Sequence, residues 1–115
     1  MELTEIPDKT KKGYVYVLCD SGNSMFKMGV TKGKLDKRIK QLQTGNSNEI
    51  HLYDYFETDY PFQLEHMLHV KYTDKNKIGE WFELQIEDLS DFKEICAKYE
   101  ETLLKLKKMG NPYIK

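Results

Sequence analysis

Several things are scarce in this chain, and each scarcity narrows the reading. Arginine occurs once, at Arg38, and every other basic residue is lysine. A composition so biased to lysine would put lysine there too unless a planar, permanently charged fork were required. Cysteine occurs only twice, at Cys19 and Cys96, far apart and without a CxxC pair. That spacing argues against a zinc site or a disulfide framework and for two core thiols in a reducing compartment. No apolar run approaches the ~20 residues of a membrane span. The polar stretch 1–12 has no apolar signal region, so the expectation is an intracellular protein of the cytoplasm or nucleus, not secreted and with no membrane partner. Internal repeats and low-complexity segments are also absent.

What is present describes one modest domain. The chain has 115 residues, 39% hydrophobic and 32% charged, which suits a single core of ordinary soluble composition. The net charge of −1 hides a division. Residues 1–45 carry nine basic and five acidic side chains, and residues 46–115 carry nine and fourteen. The densest positive stretch holds Lys27, Lys32, Lys34, Lys37, Arg38 and Lys40 against Asp36. Such a patch on a near-neutral protein suits contact with nucleic-acid phosphates, and it equally suits a solvated helix face.

Along the chain, residues 1–12 read as a polar N-terminal arm. Tyr14–Leu18 is aromatic and β-branched, as a strand should be. The cluster Asp20 to Ser24 reads as a turn, and Met25–Thr31 as a second strand closing a hairpin. Gly29 inside that strand points to a close backbone or ligand approach. Leu35–Gln43 carries the helical spacing Leu35, Ile39, Leu42, with Gly45 as its C-terminal cap. Ile50–Glu57 is a third strand, with His51/Tyr53/Tyr55 on one face and Leu52/Asp54/Phe56 on the other. Pro61 suits the first position of a second helix reaching about Tyr72. A polar loop, Thr73–Gly79, and a return to the core at Glu80–Leu84 follow. Asp88–Met109 reads as one long helix of ~30 Å, with Leu89, Phe92, Cys96, Tyr99, Leu103 and Leu106 on its buried stripe and Gly110 and Pro112 beyond its end. The expected fold is α+β: a small, mostly antiparallel three-stranded sheet flanked by helices, over residues 13–87. A C-terminal helix, residues 88–115, packs on this domain or extends from it and offers a surface for a homodimer or protein partner.

Four residues carry the chemistry. Arg38 falls at the margin of the first helix's apolar arc, so it either pairs with something or snorkels to solvent. Glu65 borders the buried stripe Leu64, Leu68, Tyr72 of the second helix, with His69 one turn later. A carboxylate at a core edge calls for a metal or a partner, and Arg38 and His69 are the structural alternatives. His66-Met67-Leu68-His69 has neither zincin order. One hairpin register, with Cys19–Ser24 as the loop, sets Tyr16 directly opposite Lys27. A nearby lysine favours the phenolate and would make Tyr16 a general base; a strand aromatic packed on a lysine stem is the other reading.

The order of these residues resembles the GIY-YIG nuclease superfamily, and more closely its branch of small phage and large-DNA-virus proteins, over about residues 13–84. Tyr14-Val15-Tyr16 stands where that family has Gly-Ile-Tyr, with Gly13 adjacent. Phe26-Lys27-Met28-Gly29-Val30-Thr31 stands at its Tyr-Ile-Gly strand, Arg38 at its helix arginine and Glu65 at its metal-binding glutamate. Gly45-Asn46 and Gly79-Glu80-Trp81-Phe82 also match the viral-type branch. The chain departs from the pattern at Tyr14, at Lys27, and at Leu42, where a His or Tyr is often found. The resemblance implies a viral or phage endonuclease acting in a host cell. It would hydrolyse DNA phosphodiester bonds with one Mg²⁺ or Mn²⁺ on Glu65, Arg38 clamping the phosphoryl oxygens and Tyr16 with Lys27 as the base. Lys32, Lys34, Lys37 and Lys40 would hold flanking phosphates. Tyr14, Gly29, Thr31, Asn46, His69 and Glu80 are supporting candidates. The alternative is a nuclease-fold module with weak or no activity that binds nucleic acid or protein.

Overall fold

The computed structural model describes residues 10–22 and 25–110. Most of the expected N-terminal arm (1–9), the hairpin tip (23–24) and the segment with Pro112 (111–115) lie outside them. The elements are β1 (Gly13–Asp20), β2 (Met25–Thr31), α1 (Leu35–Thr44), β3 (Ile50–Thr58), α2 (Pro61–Lys71), β4 (Asn76–Ile78), β5 (Trp81–Phe82), α3 (Ile86–Leu89) and α4 (Phe92–Lys108). A single 3-10 turn, Thr73–Lys75, joins α2 to β4. None of the described helices is long and apolar enough to cross a membrane.

The α+β expectation holds, but the sheet has five strands, not three. Their order is β3-β1-β2-β5-β4 and every pairing is antiparallel. The two additional strands come from the stretch read as a polar loop and a return to the core. They are three and two residues long, too short to display alternation. Gly79, at φ 56°, makes the turn between them in a region that disfavours other residues.

β1 is the central ladder and is buried along almost its whole length, because both its edges are paired and both its faces are covered. One face meets α1: Tyr14, Tyr16 and Leu18 pack with Leu35 and Ile39. The other meets α2 and α4: Val15, Val17 and Met28 pack with Leu64, Leu68, Phe92 and Cys96. Residues of opposite parity on β1 therefore belong to two different cores. On β3 the simple alternation breaks. Val17 pairs with Asp54 and Leu18 with Leu52, leaving Tyr53 as the extra residue of a bulge. Leu52 and Tyr55 consequently pack on the same, α1-facing core, although strict period-two reading assigns them to opposite faces.

The long C-terminal helix is also two pieces. α3 is a single turn with a Gln85–Asp88 capping box. It is held by the Tyr72 hydroxyl, which donates to the Asp88 carbonyl at 2.9 Å. The chain bends at Ser90–Asp91 before α4 begins. α4 then lies along the domain, with Phe92, Cys96 and Leu103 buried. Lys93 Nζ reaches both Asp54 (3.0 Å) and the Tyr55 carbonyl (2.7 Å) on β3. Both cysteines are free thiols.

Candidate active site

The hairpin register decides what Tyr16 touches. Tyr16 pairs with Gly29, and Lys27 pairs with Leu18. The expected direct opposition of Tyr16 and Lys27 is therefore wrong by two residues. A two-residue slip keeps both side chains on the same face, which is why alternation could not detect it. The structure supplies the reason for the true register. A Cβ on residue 29 would lie 2.5 Å from the Tyr16 hydroxyl and 2.7 Å from its Cζ, so the ring crosses β2 only where glycine stands. A close approach does occur at Gly29, but it is made by this side chain and not by the backbone or ligand expected there.

Arg38, not Lys27, is the cation at the phenol. It lies on α1 one turn after Leu35, half-buried at the helix margin, and its Nε donates to the Tyr16 hydroxyl at 3.4 Å. Among the described residues no carboxylate lies within ion-pair distance of Arg38, so the Arg38–Glu65 bridge considered from sequence is not formed. Burial pushes the Tyr16 phenol above its ordinary value of 10.0, and the Arg38 hydrogen bond and charge pull it back. The Glu80 and Glu65 carboxylates push it up again through space. Glu65 comes from α2 and Glu80 from the residue before β5, so the groups share one electrostatic neighbourhood around the edge of β2.

That edge is open for a topological reason. β5 pairs with Phe26 and Lys27 of β2, and the Met28 amide donates to the Glu80 carbonyl, so beyond Met28 no strand lies along this edge among the described residues. α2 delivers Glu65 and His69 to it, and the residue preceding β5 delivers Glu80. One ligand atom from each of Glu65, His69 and Glu80 lies within 4.8 Å of the others. His69 Nε2 is 3.2 Å from the Met28 carbonyl oxygen and 4.0 Å from Glu65 Oε2. A carbonyl oxygen can only accept, so this nitrogen carries the proton and donates. His69 is thus anchored to the β2 backbone beside Glu65, and the two carboxylates are the oxygen donors. Burial pushes Glu65 above the usual carboxylate range; His69 opposes this, Glu80 adds to it, and Lys27 opposes it. Lys27 Nζ lies 4.0 Å from Glu80 Oε1, so it serves the carboxylate pair and not the phenol.

The model of one protein family, the T5orf172 domain, matches residues 13–97. The chain belongs to the T5orf172 domain family. No curated protein and no solved structure matches the chain. Membership is coarser than the motif resemblance: it is consistent with a nuclease-associated domain and names neither a reaction nor catalytic residues.

The remaining candidates of this T5orf172 domain divide into scaffold and surface. Gly13, beside Tyr14, is the tight position, since a Cβ there would meet the Thr31 carbonyl at 2.6 Å. Tyr14 itself packs edge-on against Tyr55. The Thr31 hydroxyl accepts from the Gly33 amide and shapes the turn into α1. Asn46 donates to buried Asp20 and to the Asn48 carbonyl, tying the loop after α1 to the end of β1. Lys32, Lys34, Lys37 and Lys40 are all exposed, as phosphate contacts must be. The sequence reading missed the exposed Phe62, whose ring lies 5.4 Å from Lys32 Nζ. Its only sequence signal was position, one residue after Pro61 at the start of α2.

Proposed function

We propose that the protein is a divalent-metal-dependent endonuclease of the GIY-YIG type that hydrolyses DNA phosphodiester bonds. One observation carries this reading: the phenol of Tyr16 lies across Gly29 under Arg38, with the Glu65–Glu80 carboxylate pair at the same strand edge. A structural core has no need for two carboxylates, and a guanidinium without a carboxylate partner among the described residues, along one edge of a strand.

The donor set fits the proposed ion. Two carboxylates, one of them desolvated, suit a hard cation with oxygen ligands. With the proton of His69 turned toward Met28, the set contains no free imidazole lone pair on that nitrogen to favour zinc. A Mg²⁺ or Mn²⁺ ion bound to Glu65 and Glu80 would neutralise charge on the scissile phosphate and its leaving oxygen.

The chain's own residues do the rest. Arg38, with no carboxylate to hold it, is available to a phosphoryl oxygen and stabilises the charge that builds there. Tyr16 is fully covered in the free chain, and Arg38 is the group bonded to its hydroxyl. When Arg38 turns to a phosphate, the Tyr16 oxygen is released, and the phenol, once it has lost its own proton to solvent, takes one from the attacking water as the phenolate. Lys32, Lys34, Lys37 and Lys40 hold flanking phosphates and carry no sequence information.

A binding module without hydrolysis is the second reading, favoured by the complete burial of Tyr16 and by Leu42 one turn beyond Arg38. Incubation with supercoiled plasmid and Mg²⁺ or Mn²⁺, beside Glu65→Ala and Arg38→Ala, separates the two. Metal-dependent nicking that both variants lose supports the endonuclease. Equal nicking by all three proteins, or none by any on plasmid, linear or branched DNA, rejects it.

A further inference from the structure

Next to the α1 face of the site is an open cavity of about 220 Å³ that the proposed hydrolysis does not use. Lys27 and Trp81, direct cross-strand partners on β2 and β5, line it from the sheet. Gln41 and Leu42 line it from the last turns of α1, and Asn46 from the loop beyond.

The chemistry of this lining is specific. Trp81 is the only tryptophan in the chain and is half-buried, which gives the cavity one broad, flat, apolar wall. Lys27 Nζ lies over this ring, 5.6 Å from its centre, so a group that packs on the ring meets the ammonium there. Leu42 adds a second apolar surface. Gln41 is exposed, and its side chain has no hydrogen-bond partner among the described residues, so its side-chain amide can both donate and accept. The Asn46 amide hydrogens go to Asp20 and Asn48, which leaves its side-chain oxygen as an acceptor. A planar aromatic wall beside a cation and amide groups of both polarities matches the requirements of a nucleobase, with its π-face and its donor and acceptor edge. A lysine-rich surface that merely attracts phosphates needs none of these.

Position strengthens the match. Gln41 and Leu42 follow Arg38 by three and four residues, so they are its neighbours on the same helix face. Lys27 spans from the cavity to Glu80. We propose that this cavity holds one unpaired base of a DNA strand, packed against Trp81, beside the phosphate engaged by Arg38. The proposal rests on the reading of Arg38 and Glu65 as a phosphodiester site and refines it. A base stacked within an uninterrupted duplex cannot enter such a cavity without being extruded, so the preferred substrate carries an unpaired nucleotide.

The lone tryptophan makes the test direct. The full chain, without metal and with chelator, is titrated with a short single-stranded DNA, with an abasic strand of the same length, and with a closed hairpin duplex. Trp81 emission reports contact with a base, and polarisation of labelled DNA reports binding. The expected result is a change in Trp81 emission with the intact strand alone, and about tenfold weaker binding of the abasic strand. Gln41→Ala, at an exposed position, should fold normally and weaken the intact strand about threefold while leaving the abasic strand unaffected. Trp81→Leu, once circular dichroism shows it folded, should bind the two strands alike. Equal affinity of the wild-type chain for intact and abasic strands overturns the proposal. So does binding that leaves Trp81 emission unchanged, or no binding of any strand. Cleavage plays no part in these measurements, so a chain that binds bases but cuts no plasmid, linear or branched DNA refutes the hydrolytic reading and leaves the cavity's assignment standing.

Discussion

Tyr16 lies across Gly29 so closely that a Cβ there would sit 2.5 Å from the phenolic oxygen. The pair sets the hairpin register, opens the path of the ring to the strand edge and brings its hydroxyl to Arg38. Each consequence can be tested separately.

Gly29→Ala forces the Tyr16 ring or β2 to move. The ring is fully buried, so little slack exists. The expected destabilisation is about 1–3 kcal/mol, with loss of nicking beyond what unfolding explains. Gly33→Ala is the control, because the nearest atom to its Cβ is the Thr31 hydroxyl at an ordinary 3.7 Å. Thermal melts and nicking rates at a temperature where both variants are folded check the difference. Unchanged activity in Gly29→Ala would remove Tyr16 from the site.

Tyr16→Phe keeps the ring and removes only a hydroxyl held by one long hydrogen bond of 3.4 Å. Stability should change by no more than about 1 kcal/mol, while the nicking rate falls about 10²-fold or more if the hydroxyl moves the proton. Burial raises the phenol above its ordinary value of 10.0, so the ionised fraction grows with pH throughout the neutral range. The wild-type rate should therefore climb through pH 7 to 9 without levelling, and the climb should vanish in Tyr16→Phe. A rate that levels near pH 7 would assign the base elsewhere.

Glu65→Gln should abolish activity yet leave the fold no weaker at neutral pH. Burial raises the Glu65 carboxyl above the usual range, so the folded chain binds this proton more tightly than the unfolded chain. Stability then falls as pH rises through the raised value, and the ionised carboxylate is a liability at pH 7. Glutamine removes it. Calorimetry should find the variant's Tm at or above wild type at pH 7, with the difference gone below the ordinary glutamate range near pH 4. A lower Tm at pH 7 would mean that Glu65 is a structural partner of His69 and not a ligand held in reserve.

Lys93→Met tests how α4 is held. Lys93 contacts Asp54, the Tyr55 carbonyl and, at 4.5 Å, the Tyr55 ring. Its exposure screens these contacts, so the expected loss is about 1 kcal/mol, or roughly 4 °C or more in Tm. Nicking should be unchanged, since β3 lies on the far side of β1 from the site. A fall in activity without a fall in Tm would tie α4 to function.

Local periodicity made much of this protein legible. The amino-acid sequence by itself determined the order β-β-α-β-α, the start of α2 at Pro61, the buried stripe Leu64, Leu68, Tyr72 and the marginal positions of Arg38 and Glu65. These follow from side-chain spacing and turn chemistry within a few residues. The tertiary structure alone decided the hairpin register, because a slip by two leaves every face unchanged and only the fit of Tyr16 over Gly29 distinguishes the choices. It alone decided the β3 bulge, the two short strands and the break at Ser90–Asp91, none of which carries a repeating pattern. It also moved Lys27 from the phenol to Glu80, and it brought Glu80 beside Glu65 and His69. That last contact depends on β5 pairing laterally with the first half of β2, and lateral pairing is a property of the assembled sheet that no periodicity along one strand encodes.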